Sequence, residues 1–137
     1  MRQDYKIIKE EYNKETFVSI VSIQTDIGVF TGKSKAHDID CKYPSMFHGH
    51  EIALTKALLK FAIKTVKIIN KDIELLTKMK KEIRDDKTFE AKIIKTYLLN
   101  SELEKSHWIN KVEHLKKHLE QRNHARDLIV DRYETKK

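Results

Sequence analysis

The chain has 137 residues, of which 39% are hydrophobic and 36% charged, with a formal net charge of +7, three glycines and one proline. That length holds one domain with a proper core, and so few helix breakers point to long, solvated helices. The lone Cys41 excludes an intramolecular disulfide, no apolar run approaches the roughly 20 residues that span a bilayer, and the opening MRQDYKIIKEEY lacks the apolar stretch of a secretion signal. Residues 4–36 read as strands. Thr16 to Gln24 is rich in β-branched residues, with Phe17, Val21 and Ile23 on one parity. Thr25-Asp26-Ile27-Gly28 is turn chemistry, after which Val29 to Lys35 can return antiparallel. An earlier strand, Tyr5 to Glu11, pairs on the other side. Residues 37–48 read as irregular, because Pro44 discourages helix through Tyr43, and Gly49 marks the approach to a helix.

From His50 to Arg84 the heptad rhythm is clear. Ile52, Leu59, Val66 and Ile73 recur every seven residues, and Thr55, Ala62, Ile69, Leu76 and Ile83 fill a second register. Asp85-Asp86-Lys87-Thr88 is a break, and Thr88 is an acceptable helix start. A second helix is expected over 88–133, its seam passing through Ala91, Ile94, Leu98, Ser101 and Lys105. At 1.5 Å per residue the two helices would be roughly 50–70 Å long. A chain of this size cannot surround them, so they are expected to form an antiparallel hairpin that packs against other subunits. The expectation is therefore an α+β fold: a small N-terminal antiparallel sheet, then two long helices, in a single domain over 1–137. The assembly expected is a homo-oligomer, a dimer or a higher even multiple.

The last third of the chain carries an anomaly. Trp108, Val112, Leu115, Leu119, Arg122, Arg126, Ile129 and Tyr133 follow one another at alternating steps of four and three, the rhythm of a packing seam. Six of these residues are apolar or aromatic. Arg122 and Arg126 interrupt them, one turn apart. A guanidinium is costly to desolvate unless an anion meets it. Two on one inward face point to a multi-oxygen anion, most simply a phosphate or pyrophosphate. The competing reading is that both snorkel to water or pair with Glu or Asp of a neighbouring helix.

Other constellations are weaker. His37, Cys41, His48 and His50 crowd one loop with Asp38 and Asp40, but their spacing matches no compact zinc pattern. His107, His114 and His118 share a helix face without a His-Glu-x-x-His arrangement, and read as a solvated or interface face. Phe30-Thr31-Gly32-Lys33-Ser34 ends like a phosphate loop, yet lacks its earlier glycine and follows a strand without opening a helix, so it reads as strand. No catalytic nucleophile is evident. Among aromatics that could stack on a base, Trp108 reads as core, while Phe89, by the inter-helix turn, is the one expected to be exposed.

From Phe30 to Ala57 the chain runs F-T-G-K-S-K-A-H-D-I-D, then a short loop, then G-x3-A-x2-K-A. This resembles a pattern of small phage proteins: Phe-x-Gly-x-Ala/Ser-basic, an acidic loop, then Gly and a helix bearing Ala and basic-Ala. With the strand-then-two-helices layout, residues 16–132 resemble the Thoeris anti-defence family of phage sponge proteins. The resemblance implies a sheet followed by two helices, oligomers formed through the helices, and pockets at subunit boundaries. These sequester, without degrading it, a cyclic ADP-ribose isomer made by a bacterial TIR-domain NADase. It also implies an Arg-x3-Arg pair on the ligand's phosphates, which Arg122 and Arg126 match, and an aromatic residue for the adenine, for which Phe89 is the candidate. The loop from Asp38 to His48 is longer than the family's pattern, which leaves open which residues of 37–50 touch ligand. Some members bind cyclic oligonucleotides at a second site; no residue here localises one. On this reading the chain is not an enzyme, needs no cofactor or metal, engages no membrane and no stable nucleic acid, and works in the cytoplasm of the infected bacterial host.

Two other classes compete. One is a basic coiled-coil protein that binds nucleic acid. It needs a continuous basic stripe, whereas Glu82, Glu90, Glu102, Glu104, Glu113 and Glu120 are mixed among the lysines. The other is a purely structural oligomer, in which Arg122 and Arg126 are merely solvated or ion-paired.

Overall fold

The computed structural model describes residues 4–35 and 46–135; over 46–48 and 122–135 only the backbone is described. Three strands, β1 (Lys6–Asn13), β2 (Val18–Thr25) and β3 (Gly28–Lys35), precede two helices, α1 (Met46–Glu82) and α2 (Phe89–Thr135). The strands form one antiparallel sheet in the order β1-β2-β3, which is the α+β layout read from the sequence.

Turn chemistry fixes the sheet's register. Asn13 Oδ1 accepts the backbone N–H groups of Glu15 at 2.8 Å and Thr16 at 3.2 Å, an arrangement that asparagine favours in turns. Phe17 closes that turn with a positive φ of 58° and donates its N–H to Asn13 O. In the second turn Thr25 Oγ1 donates to Gly28 O at 2.8 Å and accepts from Ile27 N. Gly28 takes a φ of 137°, a region that side chains disfavour. Between Ile7 and Lys9 the β1–β2 register shifts at a bulge. On β2 Ser19, Val21 and Ile23 are buried on one face, and Ser22 between them is buried too, its Oγ 2.8 Å from Thr31 Oγ1 on β3.

By its internal contacts the chain divides into two units, residues 1–61 with 113–137, and residues 62–112. In the first, Val21 and Ile23 are buried, as are Ala53, Ala57 and Phe61 on α1 and Leu115 on α2. The rings of Phe30 and Phe61 lie 5.6 Å apart. In the second unit the buried residues are Ala62, Thr65 and Ile69 on α1, and Ala91, Ile94 and Trp108 on α2. Thr88 caps α2: its Oγ1 accepts the N–H of Ala91 at 3.2 Å, the bond that an N-cap threonine supplies to the third helical residue. Glu90 in the first turn of α2 and Lys80 and Lys81 in the last turn of α1 each suit the local helix dipole.

The seams follow the sequence rhythm. On α1, Thr55, Ala62 and Ile69 are buried, while Leu59, Val66, Ile73 and Leu76 are half-buried, as is Ile83 just beyond its end. On α2, Ala91, Ile94, Trp108 and Leu115 are buried, and the intervening seam positions Leu98, Ser101, Lys105, Val112 and Leu119 are half-buried. One boundary differs. Helix α1 begins at Met46, before the expected start near His50. Ser45, a residue type that starts helices, immediately precedes it, and Gly49 falls inside the helix. The rest of the irregular stretch, residues 37–45, lies outside the described residues. Among the described residues no helix is long and apolar enough to cross a membrane.

Candidate ligand-binding site

The expected phosphate site rests on α2. That helix is unbroken from Phe89 to Thr135, so its helical backbone continues through Arg122 and Arg126. Counting on from the half-buried Leu119 by three and then four reaches Arg122 and Arg126. Both therefore fall at seam positions of a helix whose preceding seam positions are buried or half-buried. Their side chains lie outside the described residues.

One turn before Arg122, His118 reaches α1. Its Nε2 lies 3.3 Å from Glu51 Oε1, and both side chains are about one-third exposed, at 36% and 37%. The residues flanking Glu51 are held too: Thr55 Oγ1 donates to Glu51 O at 2.8 Å, and His50 Nε2 lies 3.3 Å from Glu11 O on β1. This stretch of α1 is thereby tied to the sheet on one side and to α2 on the other. The pairing of Glu51 with His118 was not legible, since 67 residues separate them; the nearest signal was that His118 precedes Arg122 by one helical turn.

The residues that carry the family resemblance have packing roles here. A Cβ added to Gly32 would overlap the Ala53 carbonyl oxygen and lie 2.8 Å from Ala57 N. One added to Gly49 would lie 2.5 Å from Ser19 Oγ. Lys56 Nζ donates to Lys33 O at 3.1 Å and Lys60 Nζ to Thr31 O at 2.7 Å. The G-x3-A-x2-K-A run is thus a surface of α1 that lies close against β2 at Gly49 and β3 at Ala53 and Ala57, with Lys56 and, beyond the run, Lys60 meeting carbonyls of the edge strand β3. Phe30-Thr31-Gly32-Lys33-Ser34 is strand, as its sequence context implies.

Phe89 opens α2 and is 77% exposed, available for stacking as expected. It belongs to the second unit and the arginine pair to the first, although all three stand on α2, with 33 residues from Phe89 to Arg122. Trp108 is 2% exposed, a core residue, with the ring of His107 edge-on to it at 6.2 Å. His37, Cys41 and the side chain of His48 lie outside the described residues. Among the described residues no group of three or more His, Cys, Asp or Glu side chains could hold a metal ion.

A shallow depression of about 970 Å³ opens beside the β1–β2 turn, lined by Glu11, Asn13, Lys14, Val18, Ile20 and Lys35 among others. It is broad and open, and its two acids offset its two lysines, so it selects no ligand charge. Comparison with protein-family models, with curated proteins and with solved structures finds no match to this chain.

Proposed function

We propose that this chain is a non-enzymatic phage anti-defence protein. It binds and sequesters a cyclic ADP-ribose isomer made by a TIR-domain NADase, and so blocks Thoeris immunity in the cytoplasm of the infected host. It works as a homo-oligomer of two or a larger even number of copies. One observation carries the reading: α2 runs as an unbroken helix through Arg122 and Arg126 while every earlier seam position from Ala91 to Leu119 is buried or half-buried. Two guanidiniums one turn apart on such a face need an anion that both can reach, and a pyrophosphate bridge fits that spacing. Phe89 stands about nine helical turns before Arg122 on α2, so its exposed ring is the candidate adenine platform for the arginine pair of a second copy.

The test is capture and release. The protein is incubated with the product of a TIR-domain NADase, freed of unbound nucleotide, and then denatured by heat. Return of intact signal to solution is the expected result. A degraded product would mean an enzyme, and no capture would remove the reading.

A further inference from the structure

On α1 five exposed lysines, Lys56, Lys60, Lys64, Lys67 and Lys71, follow one another at steps of four, four, three and four residues, which places them on one face of the helix. Between Ile52 and Lys71 stand five lysines and no acid, a balance of +5 in a chain of +7. Glu51 and Asp72 bound the run. At 1.5 Å per residue the row is about 22 Å long, with about 4.5–6 Å between neighbours along the axis. Its first two members are held in place. Lys56 and Lys60 each use one N–H of three on a carbonyl of β3, Lys33 O and Thr31 O. Among the described residues no ion pair joins Lys64, Lys67 or Lys71 to an acid.

Such a row calls for an anionic partner, and its surroundings narrow the class. A helix that lies on a membrane inserts the apolar face opposite its lysines. Here that face, with Thr55, Ala62 and Ile69, is buried within the chain, and no large apolar side chain between Ile52 and Lys71 is exposed. Protein interfaces are poor in lysine and gather around an apolar centre, which the row lacks. A nucleic-acid backbone needs only a line of cations. We propose that this face of α1 binds a single strand of nucleic acid through its phosphates, whatever its base sequence. A duplex winds its phosphates away from a straight row, whereas a flexible strand can follow all five ammonium groups. No aromatic side chain is exposed along the row to stack on a base, so the contact is electrostatic and salt-labile. It goes beyond the nucleotide-sequestering reading and does not depend on it, because Arg122 and Arg126 stand on α2.

The test is fluorescence anisotropy of the full chain with labelled oligothymidylate and oligouridylate of about 20 nucleotides, at salt from about 20 to about 150 mM. Both strands should bind alike. At about 0.7 for each lysine, log K should fall against log salt with a slope of about −3.5, a loss of about a thousandfold over that range. Lys64→Gln, Lys67→Gln and Lys71→Gln together should bring the slope to about −1.4 and weaken binding at the lowest salt about tenfold or more, with helix content unchanged by circular dichroism. Lys92→Gln, Lys95→Gln and Lys116→Gln together remove the same charge from α2 and should leave the slope as it was. No binding at the lowest salt would overturn the proposal. So would an equal loss in both triple variants, which means net charge alone, or a duplex of the same length bound as tightly as the strand. Vesicles of equal parts phosphatidylserine and phosphatidylcholine, bound more tightly than the strand and through the same three lysines, would replace it with a membrane surface. Excess cyclic nucleotide from the TIR-domain NADase should not displace the strand. Displacement would place both at one site and remove this inference, whereas strand binding by a chain that captures no cyclic nucleotide supports it and removes the sequestering reading.

Discussion

At Gly32 the sheet approaches α1 so closely that backbone faces backbone. The atoms that a methyl group would meet, Ala53 O and Ala57 N, belong to a helix and cannot swing aside as a flexible side chain would. Gly32→Ala is therefore expected to destabilise the protein by about 1–3 kcal/mol, with a Tm lower by roughly 5–15 °C in a thermal melt. The arginines act differently, through ligand. A charge-assisted contact to phosphate is worth about 1.5–3 kcal/mol, so Arg126→Ala should weaken nucleotide binding about ten- to a hundredfold and leave helix content and assembly as they were. Arg126→Leu puts an apolar residue at a seam position and should raise the Tm while also losing ligand. Calorimetric titration beside thermal unfolding reads both: normal binding by both variants means that these arginines are not the phosphate site, and unfolding of both means that they serve structural ion pairs.

The two helices show how far periodicity reaches. Heptad counting located both seams on α1 and α2, because burial along a helix follows the same 3.5-residue rhythm as the apolar side chains. It also placed Trp108 in the core, whereas the exposure of Phe89 follows from its place by the inter-helix turn. It did not see that α1 starts at Met46, since Pro44 disfavours helix only at the residue before it and does not bar one from starting two residues later. Nor could it find the Gly32 contact, the lysines on the edge strand or the Glu51–His118 pair, which join residues distant in sequence through packing that no local pattern encodes. Two element-level expectations follow. Ile69→Lys places a charge at a site that is 2% exposed within one chain, and should lower the urea midpoint by an amount equivalent to several kcal/mol rather than simply split the assembly. Lys60→Met removes the cation that meets Thr31 O at 2.7 Å. It should cost about 1 kcal/mol and, by uncovering a sheet edge, increase aggregation on heating, as followed by turbidity.

At the scale of the whole molecule, the net charge of +7 is unevenly placed. On α1 Lys56, Lys60, Lys64, Lys67 and Lys71 share one exposed face with no acid between Ile52 and Lys71, but acids interrupt the lysines along α2 and from Asp72 onward on α1, so a long duplex meets only this short basic run. Binding of duplex DNA in a mobility-shift assay should therefore be lost by about 0.15 M salt; retention with a steep salt slope would favour the nucleic-acid reading instead. The flush contact at Gly32 has a further consequence, for time rather than for energy. Where β3 lies directly on α1, water cannot approach the helix groups around Ala53 and Ala57, and Lys56 and Lys60 fasten the neighbouring carbonyls. Near the other end of α1, from Thr77 to Glu82, every residue is exposed. Deuterium should therefore enter this one helix unevenly, replacing the amide protons of its last turns within seconds to minutes and reaching those of Ala53 to Ala57 only when the sheet itself lifts away.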